Sequence, residues 1–114
     1  MARGQPTKYK PEYCQLIIEH LKGGKSIETF PATIDVSRDS IYEWEKKHPD
    51  FSYSIKKARM LSQDHYENLG YMGMTGLIEG FNATVWIFIM KNRFGWRDKT
   101  EITAPQEEAE FVDG

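Results

Sequence analysis

The chain has one cysteine, Cys14, in 114 residues. A single thiol excludes an intrachain disulfide and a thiolate metal cluster, and it fits a reducing compartment. The histidines, His20, His48 and His65, lack ligand spacing with one another or with carboxylates, so helix-end or surface positions are expected for them and no metal. Long apolar runs are missing too: the longest, Val85-Trp86-Ile87-Phe88-Ile89-Met90, falls far short of a membrane span. No leading apolar segment resembles a signal peptide, and the expectation is a soluble protein without membrane contact.

Catalytic signatures are absent. There is no Gly-rich phosphate loop with its lysine, no nucleophile elbow, no zinc-protease histidine pair and no acidic cluster on a predicted strand that would hold two metals. Asp64 and Glu67 lie about one helical turn apart with His65 between them, but carboxylates on an amphipathic helix are far more often solvated than catalytic. Neither an enzyme nor a cofactor is expected.

The last 15 residues contain no base. Residues 1–99 hold all 15 Lys and Arg against 12 of the 17 Asp and Glu, while residues 100–114 hold the other 5 acids. A mildly basic body with an acidic tail suits nucleic acid at one end and a different partner at the other. The alternative for the tail, equally compatible with its composition, is a disordered solubilising end. With 39% hydrophobic and 13% aromatic residues, the body has material for one modest core.

The most informative segment present is Ser37 to Lys47. Ser37 is placed to cap a helix, Ile41 and Trp44 are three apart and can anchor it, and Arg38, Asp39, Tyr42, Glu43 and Lys46 face outward. Upstream, Ser26 to Ile34 reads as a second short helix with Ile27, Phe30 and Ile34 on one stripe, and Asp35-Val36 as a turn. Pro11 to Lys22 carries Tyr13, Leu16, Ile17 and Leu21 at helical spacing and ends at Gly23-Gly24. Three short helices with tight turns make a helix-turn-helix domain over residues 1–48.

In that domain Lys8, Lys10, Lys25, Arg38, Lys46 and Lys47 are the candidate phosphate contacts, with Arg38 also the candidate base contact. Asp39, Ser40, Tyr42 and Glu43 complete the candidate DNA surface. The two acids argue against a purely electrostatic binder, though a carboxylate can accept from cytosine N4. The competing reading is of three ordinary core helices whose charges only keep the surface wet.

From Pro49-Asp50-Phe51 a long helical pattern runs through Ile55, Ala58, His65, Leu69 and Met72 toward Gly76. Gly70, Gly73 and Gly76 recur every third residue, each costing about 1 kcal/mol in helix propensity, which a close helix approach would offset. The alternative is a helix that stops near Gly70. Asn82 is a candidate cap for a further helix, Ala83 to Arg93, apolar on more than one face and in need of cover. Residues 49–99 therefore read as a helical oligomerisation hairpin, with Leu69, Met72, Gly73, Trp86, Ile89 and Met90 as candidate contact residues. The expected fold is all-α, with residues 100–114 as an acidic flexible tail.

These residues resemble the small terminase subunits of tailed double-stranded DNA bacteriophages. Gly24-Lys25-Ser26 followed by Val36 to Trp44 is similar to that family's N-terminal helix-turn-helix. His48-Pro49-Asp50-Phe51 with Ile55-Lys56-Lys57-Ala58-Arg59 is similar to the entry of its long central helix, and Lys91-Asn92-Arg93-Phe94-Gly95-Trp96-Arg97-Asp98-Lys99 to the segment that closes its hairpin. Two positions depart from the pattern: Pro31 falls inside the second helix, where a kink is expected, and Asp35 stands where glycine often makes the turn.

The resemblance implies a packaging-initiation protein in the host cytoplasm. It would assemble into a homo-oligomer larger than a dimer, typically a ring, bind double-stranded viral DNA at a packaging site and bring in the large terminase subunit, which carries the ATPase and nuclease. The acidic tail, with Phe111 and Val112 as a short apolar anchor, is the candidate large-subunit contact. A homodimeric helix-turn-helix transcription regulator is the alternative, and a helical scaffold without a nucleic-acid role a third. Oligomer size separates the first two, because a palindrome reader is a dimer.

Overall fold

The computed structural model describes residues 8–98. Only helices form among the described residues: α1 (Glu12–Lys22), a 3-10 turn (Ile27–Thr29), α2 (Phe30–Thr33), α3 (Arg38–Lys47), α4 (Pro49–Met74) and α5 (Ala83–Phe94). The chain divides into two compact units, one ending at Leu69 and the other beginning at Gly70. The acidic tail, with Phe111 and Val112, lies outside the described residues. No helix among those described is long and apolar enough to cross a membrane.

In the first unit α1 buries Tyr13, Ile17 and Leu21, which recur every four residues on one face. Leu16, expected on that stripe, stands 40% exposed, because the half-buried flank is formed by Cys14 and Ile18 instead. Gly24 follows the helix at φ 99, a left-handed conformation that favours glycine. The segment expected to be one helix is two pieces, the 3-10 turn and then α2. Pro31 sits in the first turn of α2, where a backbone N–H has no intrahelical acceptor, so no bond is lost and the expected kink is replaced by a change of helix type.

Asp35 makes the next turn at φ 58, and the Val36 N–H donates to the Pro31 carbonyl at 3.0 Å. Aspartate tolerates this left-handed conformation better than most residues, so the turn forms without glycine. Ser37 then caps α3: its Oγ accepts from the Ser40 N–H at 3.2 Å. Ile41 and Trp44 are buried, as their spacing requires. His48 closes α3 through its N–H to the Trp44 carbonyl at 2.8 Å, and its own carbonyl accepts from Phe51 and Ser52 at 3.0 Å to open α4. Pro49, the first residue of α4, needs no donor there.

Helix α4 is 26 residues, about 39 Å at 1.5 Å per residue. Its early buried positions, Phe51, Ser54, Ile55, Ala58 and Ser62, recur at three- and four-residue steps. Phe51, Ile55 and Ala58 join Ile17, Phe30, Ile41 and Trp44 in one core. The entry of α4 thus supplies part of the core of the first compact unit, which ends at Leu69. Further along, the Tyr66 hydroxyl donates to the Gly24 carbonyl at 2.7 Å and fastens the helix to the end of α1.

The second unit contains the end of α4 and α5. A Cβ on Gly70 would overlap the Trp86 indole, and one on Gly73 would overlap the Phe81 ring, so these two glycines admit aromatic side chains against the helix backbone. Gly76 has a different reason: it follows the helix at φ 83, with open space where a side chain would stand, and serves the turn. Asn82 Oδ1 accepts from the Val85 N–H at 3.0 Å and caps α5. Gly95, at φ 72, ends it.

Candidate nucleic-acid interface

The outer face of α3 holds Arg38, Asp39, Tyr42, Glu43, Lys46 and Lys47, all exposed, with Tyr42 at 45%. The buried Ile41 and Trp44 on the opposite face set this orientation. Ser40 is half-buried and tied into the cap, its Oγ 3.3 Å from that of Ser37. Lys47 pairs with Glu43 at 3.1 Å across one turn. Such an exposed pair adds only a few tenths of a kcal/mol, but it neutralises a charge that a phosphate contact would use. Helix α3 as a whole has three bases and three acids and so no net charge, and its outer face, with the three bases and two of the acids, offers both donors and acceptors.

The other candidate contacts lie off α3. Lys25 is exposed in the loop after α1, and Lys8 and Lys10 are exposed on either side of Tyr9. Tyr9 is the residue that local sequence reasoning missed. Its ring stacks on His48 at 3.9 Å and meets Trp44 and Phe51 edge-on at 5.6 and 5.7 Å. Its hydroxyl donates to Asp50 Oδ2 at 2.8 Å and lies 3.1 Å from Cys14 Sγ. This clasp holds the segment carrying Lys8 and Lys10 beside the α3–α4 junction. Burial, then hydrogen bonds with Cys14 and Asp50, raises the Tyr9 phenol pKa well above its ordinary value. The Asp50 carboxyl is held below the usual carboxylate range, first by the phenol bond. An open cleft lined by Tyr9, Asp39, Ser40, Glu43, Trp44, Lys47 and His48 borders the same face.

The candidate association residues have a different environment. Met90 is fully buried, and Leu69, Met72, Gly73, Trp86 and Ile89 are half-buried. Trp86 packs over Gly70 and meets Trp96 edge-on at 5.6 Å. The exposed apolar side chains of this unit are Tyr71, Met74, Leu77, Val85, Ile87, Phe88 and Trp96, between 40% and 75% accessible. Thus the apolar surface that α5 leaves uncovered is carried by Val85, Ile87 and Phe88, beside the residues that spacing singled out.

The chain belongs to the DNA-packaging protein gp3 family, whose family model matches residues 12–102. This is a phage DNA-packaging family, consistent with the resemblance to small terminase subunits. The match begins at the first residue of α1 and continues past α5. Neither the curated proteins nor the solved structures contain a match to the chain.

Proposed function

We propose that this packaging protein is a terminase small subunit: a non-enzymatic DNA-binding oligomer that acts in the host cytoplasm, marks the viral genome for packaging and brings in the large ATPase and nuclease subunit. The helices α2 and α3, joined at Asp35, serve as a helix-turn-helix, with Arg38, Tyr42 and Lys46 directed at the major groove and Lys8, Lys10 and Lys25 at the backbone. Asp39 and Glu43 contribute selectivity as acceptors for base amino groups. Without net charge on α3, one copy binds weakly, and several copies on one assembly supply affinity by avidity.

The observation that carries the assembly half of this reading is the run of seven exposed large apolar side chains within residues 70–98. A free monomer rarely leaves so dense an apolar surface in water, and a second copy is the cover most readily to hand. Light scattering of the purified chain tests it: a mass well above a dimer supports a ring, and a dimer supports the transcription-regulator reading. Gel-shift titration with Arg38→Ala/Lys46→Ala tests the DNA half, with weaker binding expected and unchanged affinity moving the DNA surface elsewhere. The acidic tail is proposed as the large-subunit contact. Deleting residues 101–114 should abolish stimulation of the large subunit's ATPase and leave the number of chains in the oligomer unchanged; undiminished stimulation assigns that contact to the body.

A further inference from the structure

Across residues 8–50 the chain carries seven bases and eight acids, so the region that holds the candidate reading helix has no excess positive charge. Duplex DNA attracts proteins first through its phosphates, and that attraction needs a surface where cations outnumber anions. The next segment supplies one. Residues 51–62 contain Lys56, Lys57 and Arg59 and no acid.

The three side chains are exposed. Among the described residues none of them forms an ion pair or a hydrogen bond, whereas Lys47 and Lys91 both hold carboxylate partners. At 100° per residue, Lys56 and Lys57 fall on the side of α4 opposite Phe51, Ile55 and Ala58, in one stripe with Tyr53 and Met60, which are 67% and 66% exposed. Arg59 flanks that stripe. A long solvated helix gains stability by setting Glu four residues before Lys. Here the acid Asp50 opens the helix six residues before Lys56 and accepts from the Tyr9 hydroxyl, and Asp64 and Glu67 follow the bases in the next two turns, where Asn68 and Gln63 donate to them. The charges of α4 are segregated rather than paired, and the basic block lies in the unit that also carries α3.

We infer that the outward face of the first half of α4, centred on Lys56, Lys57 and Arg59, is a second DNA-binding surface that grips backbone phosphates without reading sequence. The inference rests on the DNA-binding reading given above and deepens it: α3 supplies selectivity and α4 supplies the salt-dependent attraction. Tyr53 can add a hydroxyl to the same backbone.

The test is a titration of the full-length protein with duplex DNA over a series of salt concentrations. The proteins compared are the wild type, Lys56→Ala/Lys57→Ala/Arg59→Ala, the charge-keeping Lys56→Arg/Lys57→Arg and Arg38→Ala/Lys46→Ala, with mass and helicity recorded for each. Alanine on an exposed helix face favours the helix, so the triple variant is expected to fold. Each lost phosphate contact lowers the slope of log affinity against log salt by about 0.9, so a fall of roughly 2 to 3 is expected, with binding weaker on the order of 10- to 100-fold at low salt. The arginine variant should keep the wild-type slope, and any sequence preference should persist in the triple variant. If the wild type binds and the triple variant keeps its slope, the second surface is refuted while the DNA reading stands. If the wild type itself does not bind DNA, both fall. A triple variant of lower mass would assign this face to contacts between copies and overturn the inference as well.

Discussion

Replacing Gly70 with alanine should destabilise the C-terminal unit, although the same change on an open helix stabilises it. In an exposed helix interior the alanine gains about 1 kcal/mol. At Gly70 the new methyl would overlap three atoms of the Trp86 indole, a rigid ring already set edge-on against Trp96 at 5.6 Å. Overpacking against such a group costs about 1–3 kcal/mol, which leaves a net loss of up to about 2 kcal/mol. In a chain of 114 residues each kcal/mol lowers Tm by roughly 4–8 °C. The sign should reverse in a Trp86→Ala background, where the ring is gone and Gly70→Ala recovers its helix-propensity gain. Thermal and urea unfolding followed by circular dichroism measure both arms of the cycle. A gain of about 1 kcal/mol in both backgrounds would refute the close approach as the reason for glycine in this helix.

Other changes probe the turn and the N-terminal clasp. Ser37→Ala should cost about 1 kcal/mol in urea unfolding by removing the α3 cap, and an unchanged midpoint would show that the 3.2 Å bond contributes nothing. Asp35→Ala should cost about 1 kcal/mol at φ 58 while Asp35→Gly costs little; equal losses would place the effect in the aspartate side chain rather than the backbone. Because the folded Asp50 carboxyl has a depressed pKa, its contribution to stability is fully present above the unfolded carboxylate range of about 3.9 and is lost as pH falls through the folded value. Tyr9 works at the other end: its raised pKa means that stability declines as pH rises above about 10. Carboxyl NMR titration of Tyr9→Phe should return Asp50 toward the ordinary range, and an unmoved Asp50 would remove the phenol bond as the main cause.

Local chemistry alone determined much of this protein. Ser37 and Asn82 cap α3 and α5 because a side-chain oxygen ahead of a helix satisfies a free N–H whatever the rest of the chain does. Ile41 with Trp44, and Tyr13 with Ile17 and Leu21, are buried because their spacing allows one face to meet a core. The left-handed turn at Asp35 was likewise legible in the residue type.

Tertiary structure decided what depends on distant residues. Tyr9 precedes every helix and has no periodicity of its own; its partners Trp44, His48 and Asp50 are 35 to 41 positions away, so no local pattern reveals the clasp. Pro31 and Leu16 differ from the sequence reading because helix type and the exact edge of a buried stripe are set by what packs against them. The pattern of α4 required a helix, but only folding showed that its first turns complete the N-terminal core while its outer face keeps Lys56 and Lys57 in water. On α5, apolar residues on more than one face made the need for cover readable. Which of them pack inside the chain, Met90 and in part Trp86, and which stay exposed, Val85, Ile87 and Phe88, follows from the position of neighbouring groups in space.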